Sequence, residues 1–202
     1  MVYDRTCRGR ALLPGLTHAW WTGGLVYRGL RRVDAWYGAT TWEEALAWLG
    51  RVGERAPIAE IQFWGHGKWG LARVDREALD REALARAHPH HEALRRIKRG
   101  MVTGGRGLWW FRTCETLGAV PGQEFAQAWS EFFDARVAGH TYIIGPWQSG
   151  LHSLAPGERP TWSIHEGLVE GDDPERPSKA LWSRRGLPNT IHCLNGVIPA
   201  GY

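Results

Sequence analysis

The stretch IQFWGHGKWG, residues 61–70, decides the predicted fold, because an apolar strand ends here on a histidine held between two glycines. Residues 58–64 form a nearly continuous apolar run, which is typical of a central parallel strand buried on both faces. A second apolar run, LWWF at residues 108–111, leads through Arg112 and Thr113 to Cys114. Both runs therefore predict strands that end beside a chemically reactive side chain.

Outward from these two runs, strand and helix patterns alternate along the chain. Thr41 and Glu44 form a capping box that predicts a helix ending near Gly53. Further helices are predicted at 75–87, where DREAL occurs twice, and at 123–135, and a short helix is predicted after the break at 88–91, through Ile97. Strands are predicted at 33–37, 58–64, 108–111 and 141–144, while residues 1–18 show no regular pattern. This order predicts an α/β fold, a three-layer α/β/α sandwich with a mostly parallel central sheet.

Composition suits a single globular domain, because 43% of the 202 residues are apolar and 23% are charged. We expect one domain over residues 1–202, with a core at about 33–162 and a wrapping segment at about 163–202. The thirteen tryptophans are expected mainly in the core. Basic residues cluster at 95–99, but no nucleic-acid motif accompanies them, so we expect no nucleic-acid partner.

The cellular location is predicted from what the sequence lacks. Three cysteines are too few for a disulfide framework and fit a reducing compartment. No stretch approaches 18 uninterrupted apolar residues, and the N-terminus has no apolar signal-peptide core. We therefore expect a cytoplasmic protein without membrane insertion.

His66 and Cys114 are the candidate catalytic pair. Ligands bind beyond the carboxyl ends of the strands in open parallel sheets, so two neighbouring strands would bring both side chains to one edge. An imidazole there can take the proton of a thiol and make it nucleophilic. The amides of Gly67 and Cys114 would then point to where an oxyanion forms. This chemistry needs no metal and no cofactor.

FWGHGKWG and LWWFRTCETLG resemble the histidine and cysteine blocks of the caspase–hemoglobinase fold of cysteine peptidases. Over about residues 33–162 the layout is similar to that of uncharacterised bacterial caspase-like domains. The resemblance implies a caspase-like fold in which His66 is the general base, Cys114 the nucleophile, and the Gly67 and Cys114 amides the oxyanion hole. It further implies a cysteine endopeptidase-like hydrolase that cleaves a peptide bond in a protein or peptide partner.

The resemblance also points to a substrate pocket. In this fold, the residues after the strand that follows the cysteine helix help to form the pocket for the side chain before the scissile bond. Here these are Trp147, which can stack on a substrate backbone, together with Gln148 and Ser149, of which Ser149 can hydrogen-bond it. Glu115 is a candidate acid that favours a basic substrate side chain.

Three alternatives stay open at this point. A papain-like or NlpC/P60-like hydrolase would pair Cys114 with His140, in the strand-like segment GHTYIIG. A metal hydrolase would use a histidine cluster: His88, His90 and His91, with His152 or His165 as a further ligand. A catalytically inactive caspase-fold domain would act as an interaction scaffold, with its tryptophans at a binding surface.

Overall fold

The computed structural model describes residues 1–10 and 13–202 of the chain. Its helices are α1 (Leu16–Gly29), α2 (Trp42–Arg55), α3 (His91–Gly100) and α4 (Ala119–Phe133), with a short 3-10 helix at Arg81–Leu84. Its strands are β1 (Val2–Asp4), β2 (Gly9–Arg10), β3 (Leu13–Pro14), β4 (Tyr37–Ala39), β5 (Glu60–Trp64), β6 (His66–Lys68), β7 (Leu71–Val74), β8 (Glu77–Asp80), β9 (Leu108–Arg112), β10 (Arg136–His140), β11 (Trp147–Gln148), β12 (Leu151–Leu154) and β13 (Ile191–His192).

The central sheet has six strands in the order β4-β1-β5-β9-β10-β12. Five of them run parallel to one another, and β12 pairs antiparallel with β10 at one edge. The prediction of a mixed α/β fold with a mostly parallel central sheet is confirmed. Neighbouring strands β5 and β9 pair over five residues, from Glu60 with Leu108 to Trp64 with Arg112.

Different elements cover the two faces of the sheet, because side chains alternate in direction along each strand. Ile61 and Phe63 of β5 belong to the largest apolar cluster, which also contains the inner faces of α2, α3 and α4. Trp64 joins a separate cluster with Tyr27 of α1, and Ile191 from the C-terminal segment packs with residues of β9, β10 and β12. The sheet therefore lies between three helices on one side and α1 plus the C-terminal segment on the other.

The capping box at the start of α2 forms as predicted, with one difference. The Thr41 side chain accepts a hydrogen bond from the Glu44 backbone N–H at 3.2 Å. The Glu44 carboxylate, however, accepts from the backbone N–H and the hydroxyl of Thr40, one residue before the expected donor. The helix start is thus held by both side chains, as the sequence signature requires.

The helix predicted at 75–87 is wrong. Residues 71–74 and 77–80 form an antiparallel hairpin, which joins β6 in a three-stranded sheet. Val74 pairs with Glu77, so Asp75 begins a two-residue turn and has a left-handed φ of 53°. Val74 and Leu79 are fully buried in the main core. Strand pairing that buries these side chains outweighs the helix propensity of the DREAL repeats.

Expectations for the other strands need correction as well. The N-terminus is not irregular, since β1 lies inside the sheet between β4 and β5, and α1 begins at Leu16. The ordered sheet thus extends beyond residues 33–162. The first and the last of the four predicted strands are shifted. The strand predicted at 33–37 forms instead as β4, and the one predicted at 141–144 is replaced by the earlier strand β10, in which Val137 and Ala138 fill the sheet interior. None of the described helices is both long and apolar enough to cross a membrane.

Candidate active site

His66 and Cys114 occupy equivalent positions after two neighbouring strands. Trp64 is paired with Arg112 at the end of the parallel β5–β9 ladder. Each candidate residue follows two positions later, so both belong to the same carboxyl edge of the sheet. Neighbouring strands lie about 4.8 Å apart, and this edge is where open parallel sheets bind their ligands.

The backbones around the two residues are in direct contact through Gly67. A Cβ atom at Gly67 would lie 2.7 Å from the Cys114 carbonyl oxygen and 2.7 Å from the Thr113 Cβ, so no larger residue fits without displacing the cysteine turn. The Thr116 hydroxyl lies within hydrogen-bond distance of the Cys114 carbonyl, at 3.1 Å, and of the Leu71 carbonyl, at 3.2 Å. The turn after β9 is therefore tied to the hairpin that begins at His66.

The His66 ring is half-buried against α1. Its centroid lies 5.5 Å from that of Trp20, with the two rings edge to face. Among the described residues, no hydrogen bond involves either ring nitrogen, and none joins the ring to the Cys114 Sγ. Trp20 packs against one side of the imidazole. The ring nitrogens of His66 have no hydrogen-bond partner among the described residues. The sequence offered no signal for this contact, because Trp20 belongs to an unpredicted helix.

The thiol of Cys114 is neutral at physiological pH. Burial raises its pKa to about 11; a hydrogen bond from the Ile144 backbone opposes this rise, and the nearby Glu115 charge adds to it. Low dielectric surroundings disfavour a thiolate, which is the nucleophilic form of cysteine. A reaction at this sulfur would therefore need a base that takes the proton during attack.

Glu115 lies in the same turn and is strained and incompletely satisfied. Its φ of 32° is in the left-handed region, which a side chain with a Cβ atom adopts only at an energetic cost. The residue is only 7% exposed, and its Oε2 has no hydrogen-bond partner among the described residues. Burial raises the pKa of its carboxyl to about 7, partly opposed by the charge of Lys68. Strain and an unpaired carboxyl oxygen together are features that concentrate at functional sites.

The predicted pocket residues 147–149 have different environments. Trp147 is 37% exposed, and its ring packs edge to face on His192. Gln148 and Ser149 are buried. The Gln148 Oε1 accepts a hydrogen bond from Arg112, while the Ser149 hydroxyl accepts from Thr190. Because these two polar side chains are engaged within the chain, only Trp147 offers its side chain to a substrate.

Arg112 is a central residue of this region that the sequence analysis missed. It is 3% exposed, and burial lowers the pKa of its guanidinium from the ordinary value. The guanidinium donates hydrogen bonds to the Tyr27 hydroxyl, the Gln148 Oε1 and the carbonyl oxygens of Cys193 and Asn195, at 2.6 to 2.9 Å. It also lies over the rings of Tyr27, Trp64 and Trp110, at 4.5 to 5.6 Å.

Arg112 therefore fastens the C-terminal segment beside the end of β9. A charged residue closing the apolar run LWWFR was the one available signal, since a buried arginine requires compensating acceptors. Two of the four acceptors are backbone carbonyl groups about eighty residues later in the chain, which no local pattern reveals.

The alternative pairing of Cys114 with His140 gains no support from the geometry. His140 is fully buried, and its Nδ1 lies 3.2 Å from the Ser149 carbonyl oxygen. Its Nε2 has no hydrogen-bond partner among the described residues. Burial, followed by the charge of Arg112, lowers the pKa of the ring to about 3, so this histidine stays neutral.

The histidines of the proposed metal cluster face separate partners. The His88 ring accepts from the His90 backbone, the His90 ring contacts Glu77, and the His91 ring contacts the Leu84 carbonyl. His152, the further candidate ligand, pairs with Glu166 at 2.8 Å. Within residues 1–10 and 13–202, no group of three or more His, Cys, Asp or Glu side chains is arranged to hold a metal ion.

Two open clefts of about 610 Å³ each lie along α3. His90 lines one and His91 the other, whereas neither His66 nor Cys114 nor any of the predicted substrate-binding residues lines either cleft. Comparison with known proteins found no match to a protein-family model, to a curated protein or to a solved structure. The functional assignment therefore depends on the geometry of this chain.

Proposed function

We propose that this chain is a cysteine peptidase-like hydrolase with a caspase-like fold, in which His66 and Cys114 act as the catalytic dyad. The observation that carries the proposal is their equivalent placement, two residues beyond the paired ends of neighbouring parallel strands. The order along the chain, a strand with a His-Gly turn followed by a strand with a cysteine, is the basis of the resemblance to the caspase–hemoglobinase fold.

The reaction uses the thiol in its neutral form. The Cys114 Sγ attacks the carbonyl carbon of a peptide bond while His66 accepts the thiol proton, as a general base does. The Gly67 and Cys114 amides donate hydrogen bonds to the resulting oxyanion. His66 then gives its proton to the leaving amine, and a thioester forms. Water, deprotonated by His66, hydrolyses the thioester and restores the thiol.

Two residues are retained from the predicted substrate pocket. Glu115 follows the nucleophile directly and has a buried carboxyl oxygen without a partner in the described chain, which suits recognition of a cationic side chain. Trp147 presents an exposed ring for stacking. Gln148 and Ser149 are hydrogen-bonded to Arg112 and Thr190 and are left out of the proposed pocket. The substrate is thus a protein or peptide with a basic residue before the cleaved bond.

Labelling with an electrophilic peptide ketone tests the dyad. We expect the reagent to alkylate Cys114 in the wild type, and labelling to fall roughly a hundredfold or more in His66→Ala, since a general base contributes on that scale. Mass spectrometry of the labelled peptides identifies the modified cysteine. His165→Ala, an exposed histidine, and Cys193→Ala, a second half-buried thiol, are the matched controls.

Turnover of a peptide library provides the second readout. Cys114→Ala should lower cleavage by about a thousandfold or more, because the covalent step is lost. In the same assay, Glu115→Gln should reduce the preference for arginine or lysine before the cleaved bond. Full cleavage by Cys114→Ala would show that the assignment is wrong.

An inactive interaction domain is the second candidate, and the raised pKa of the half-buried Cys114 thiol favours it. The two functions predict opposite labelling results. Absence of labelling in the folded wild type, across neutral to alkaline pH, would support the inactive domain. Labelling that survives His66→Ala but disappears in His140→Ala would support the papain-like pairing instead.

A further inference from the structure

Helix α1 exposes an unusual concentration of large apolar side chains. Leu16, Trp21, Leu25, Val26 and Leu30 are 41% to 57% exposed, and we call this set the α1 outer face. They make up five of the eleven large apolar residues that are exposed in the described chain, within 15 consecutive positions. An apolar patch on this scale marks an interaction site more often than an ordinary surface.

The opposite side of α1 is already fully packed, so the helix cannot turn to hide its outer face. Tyr27 is completely buried and contacts Trp64. A Cβ atom at Gly23 would lie 2.5 Å from the Trp64 ring, and one at Gly24 would lie 2.5 Å from the Trp36 ring. A helix that is apolar on both sides is normally covered on both. Apart from the Trp21 ring, which contacts that of Trp36 at 6.2 Å, the outer face is left uncovered by the described residues.

Positive charge flanks α1 at both ends. Residues 5–33 contain six arginines and no aspartate or glutamate. Arg5 and Arg8 lie beside the first turn, where the Arg8 carbonyl accepts a hydrogen bond from the Gly15 N–H. Arg28 and Arg31 are exposed at the other end. None of these four arginines takes part in an ion pair within the described part of the chain.

This charge distribution restricts what can cover the face. A second copy would bring arginine-bearing ends together whether the two helices ran parallel or antiparallel, and no acidic residue of the segment would offset the repulsion. The occupant must therefore be both apolar and anionic. Neither of the two clefts described along α3 is lined by α1. The Thr22 hydroxyl, a polar group on α1, donates its hydrogen bond within the helix to the His18 carbonyl.

We propose that the α1 outer face docks on the surface of an anionic lipid bilayer. Its apolar side chains enter the boundary between headgroups and acyl chains, and the flanking arginines contact lipid phosphates. A convex apolar surface edged by arginines suits this environment, since a bilayer needs no directional hydrogen bonds from the apolar side chains. This is peripheral binding by a helix that remains packed on the sheet.

Co-sedimentation with vesicles tests the proposal. The wild type should bind vesicles of phosphatidylcholine that contain phosphatidylglycerol, and not vesicles of phosphatidylcholine alone, with binding that weakens as salt rises. The variant Leu25→Gln/Val26→Gln/Leu30→Gln should bind roughly a hundredfold less tightly, because the buried apolar area is lost. Arg28→Gln/Arg31→Gln should weaken binding about tenfold or more.

The control is Leu181→Gln, which alters an equally exposed leucine away from α1 and should bind as the wild type does. Circular dichroism checks that each variant is folded.

Failure of the folded wild type to bind anionic vesicles at low salt would overturn the proposal, as would unchanged binding by the triple variant. A wild-type dimer that the triple variant converts to monomer, without vesicle binding, would assign the face to a second copy. An acidic protein that binds this face in the absence of vesicle binding would also overturn it.

Discussion

Cys114 and Glu115 are adjacent in the chain, and the charge of Glu115 alters the ionisation of Cys114. The carboxyl of Glu115 becomes charged as the pH rises through its pKa of about 7. Its negative charge then adds to burial in raising the pKa of the Cys114 thiol. The turn that holds both residues is fixed by Gly67 and Thr116, so neither side chain can easily move out of the other's field.

The pH dependence of alkylation should report this coupling. We expect the rate of Cys114 alkylation by iodoacetamide to keep rising up to about pH 11, because the pKa of this half-buried thiol is raised to about that value. Glu115→Gln removes the negative charge, lowers the pKa of Cys114 and should speed alkylation at pH 8. Peptide mass spectrometry resolves Cys114 from Cys7 and Cys193.

Glu131→Gln, at an exposed carboxyl of α4, is the matched control and should leave the rate unchanged. A wild-type rate that levels off near the ordinary thiol value of 9 would contradict the burial effect.

At the residue scale, the sequence predicted where the candidate site residues lie in the fold better than it predicted which residues surround them. His66, Cys114 and Gly67 follow directly from two apolar runs that end on reactive or permissive residues. Their environments do not: Trp20 beside His66 and Ile144 beside Cys114 come from elements distant in sequence. Burial, which determines the protonation of Cys114, is a property of those distant contacts and has no local signature.

At the scale of single elements, local propensity agrees with tertiary packing in α2 and conflicts with it in the hairpin β7–β8. Helix α2 has a capping box, an inward apolar face and no competing partner, so local preference and tertiary packing agree. The hairpin has helical composition, but its strands pair with one another and with β6. Local propensity amounts to tenths of a kcal/mol per residue, about 0.7 at most for ordinary residues, and burial of Val74 and Leu79 exceeds it.

The α2 cap supports a stability prediction. Thr41→Ala removes the acceptor for the Glu44 N–H and should lower the free energy of unfolding by about 1 kcal/mol. Thr41→Ser keeps the hydroxyl and should stay close to the wild type. Urea denaturation followed by circular dichroism measures both. Equal losses in the two variants would mean that the threonine methyl group, and not the cap, is what matters.

At the scale of the whole molecule, one buried arginine links three distant parts of the chain. Arg112 joins the end of β9 to Tyr27 of α1 and to the carbonyl groups of Cys193 and Asn195. The C-terminal segment thereby covers the sheet face that α1 leaves open, where Ile191 packs among residues of the last three strands. A segment without long helices or strands is in this way held against the core.

Replacing this arginine should release the C-terminal segment. Arg112→Met leaves the Gln148 oxygen without its donor and removes the charged donor from the Cys193 and Asn195 carbonyl groups, which keep only the Tyr27 hydroxyl. We therefore expect a loss of roughly 3 kcal/mol or more in the free energy of unfolding. Limited proteolysis should then cut within residues 190–202 much faster than in the wild type. Arg51→Met, at an exposed position of α2, should change neither measurement. Unchanged proteolysis of Arg112→Met would show that apolar packing and the hydrogen bonds from Tyr27 and Arg32 hold the segment without Arg112.

The sequence by itself determined the α/β class, the strands β5 and β9, the helices α2 and α4 and the two candidate residues at the strand ends. These features follow from periodicity, caps and apolar runs, which act over a few neighbouring residues. Only the tertiary structure decided that β1 enters the middle of the sheet, that residues 71–80 form a hairpin, and that Arg112 anchors the C-terminal segment. It also placed the Cys114 thiol in a half-buried position and left the outer face of α1 exposed, because pairing and burial depend on partners that are distant along the chain.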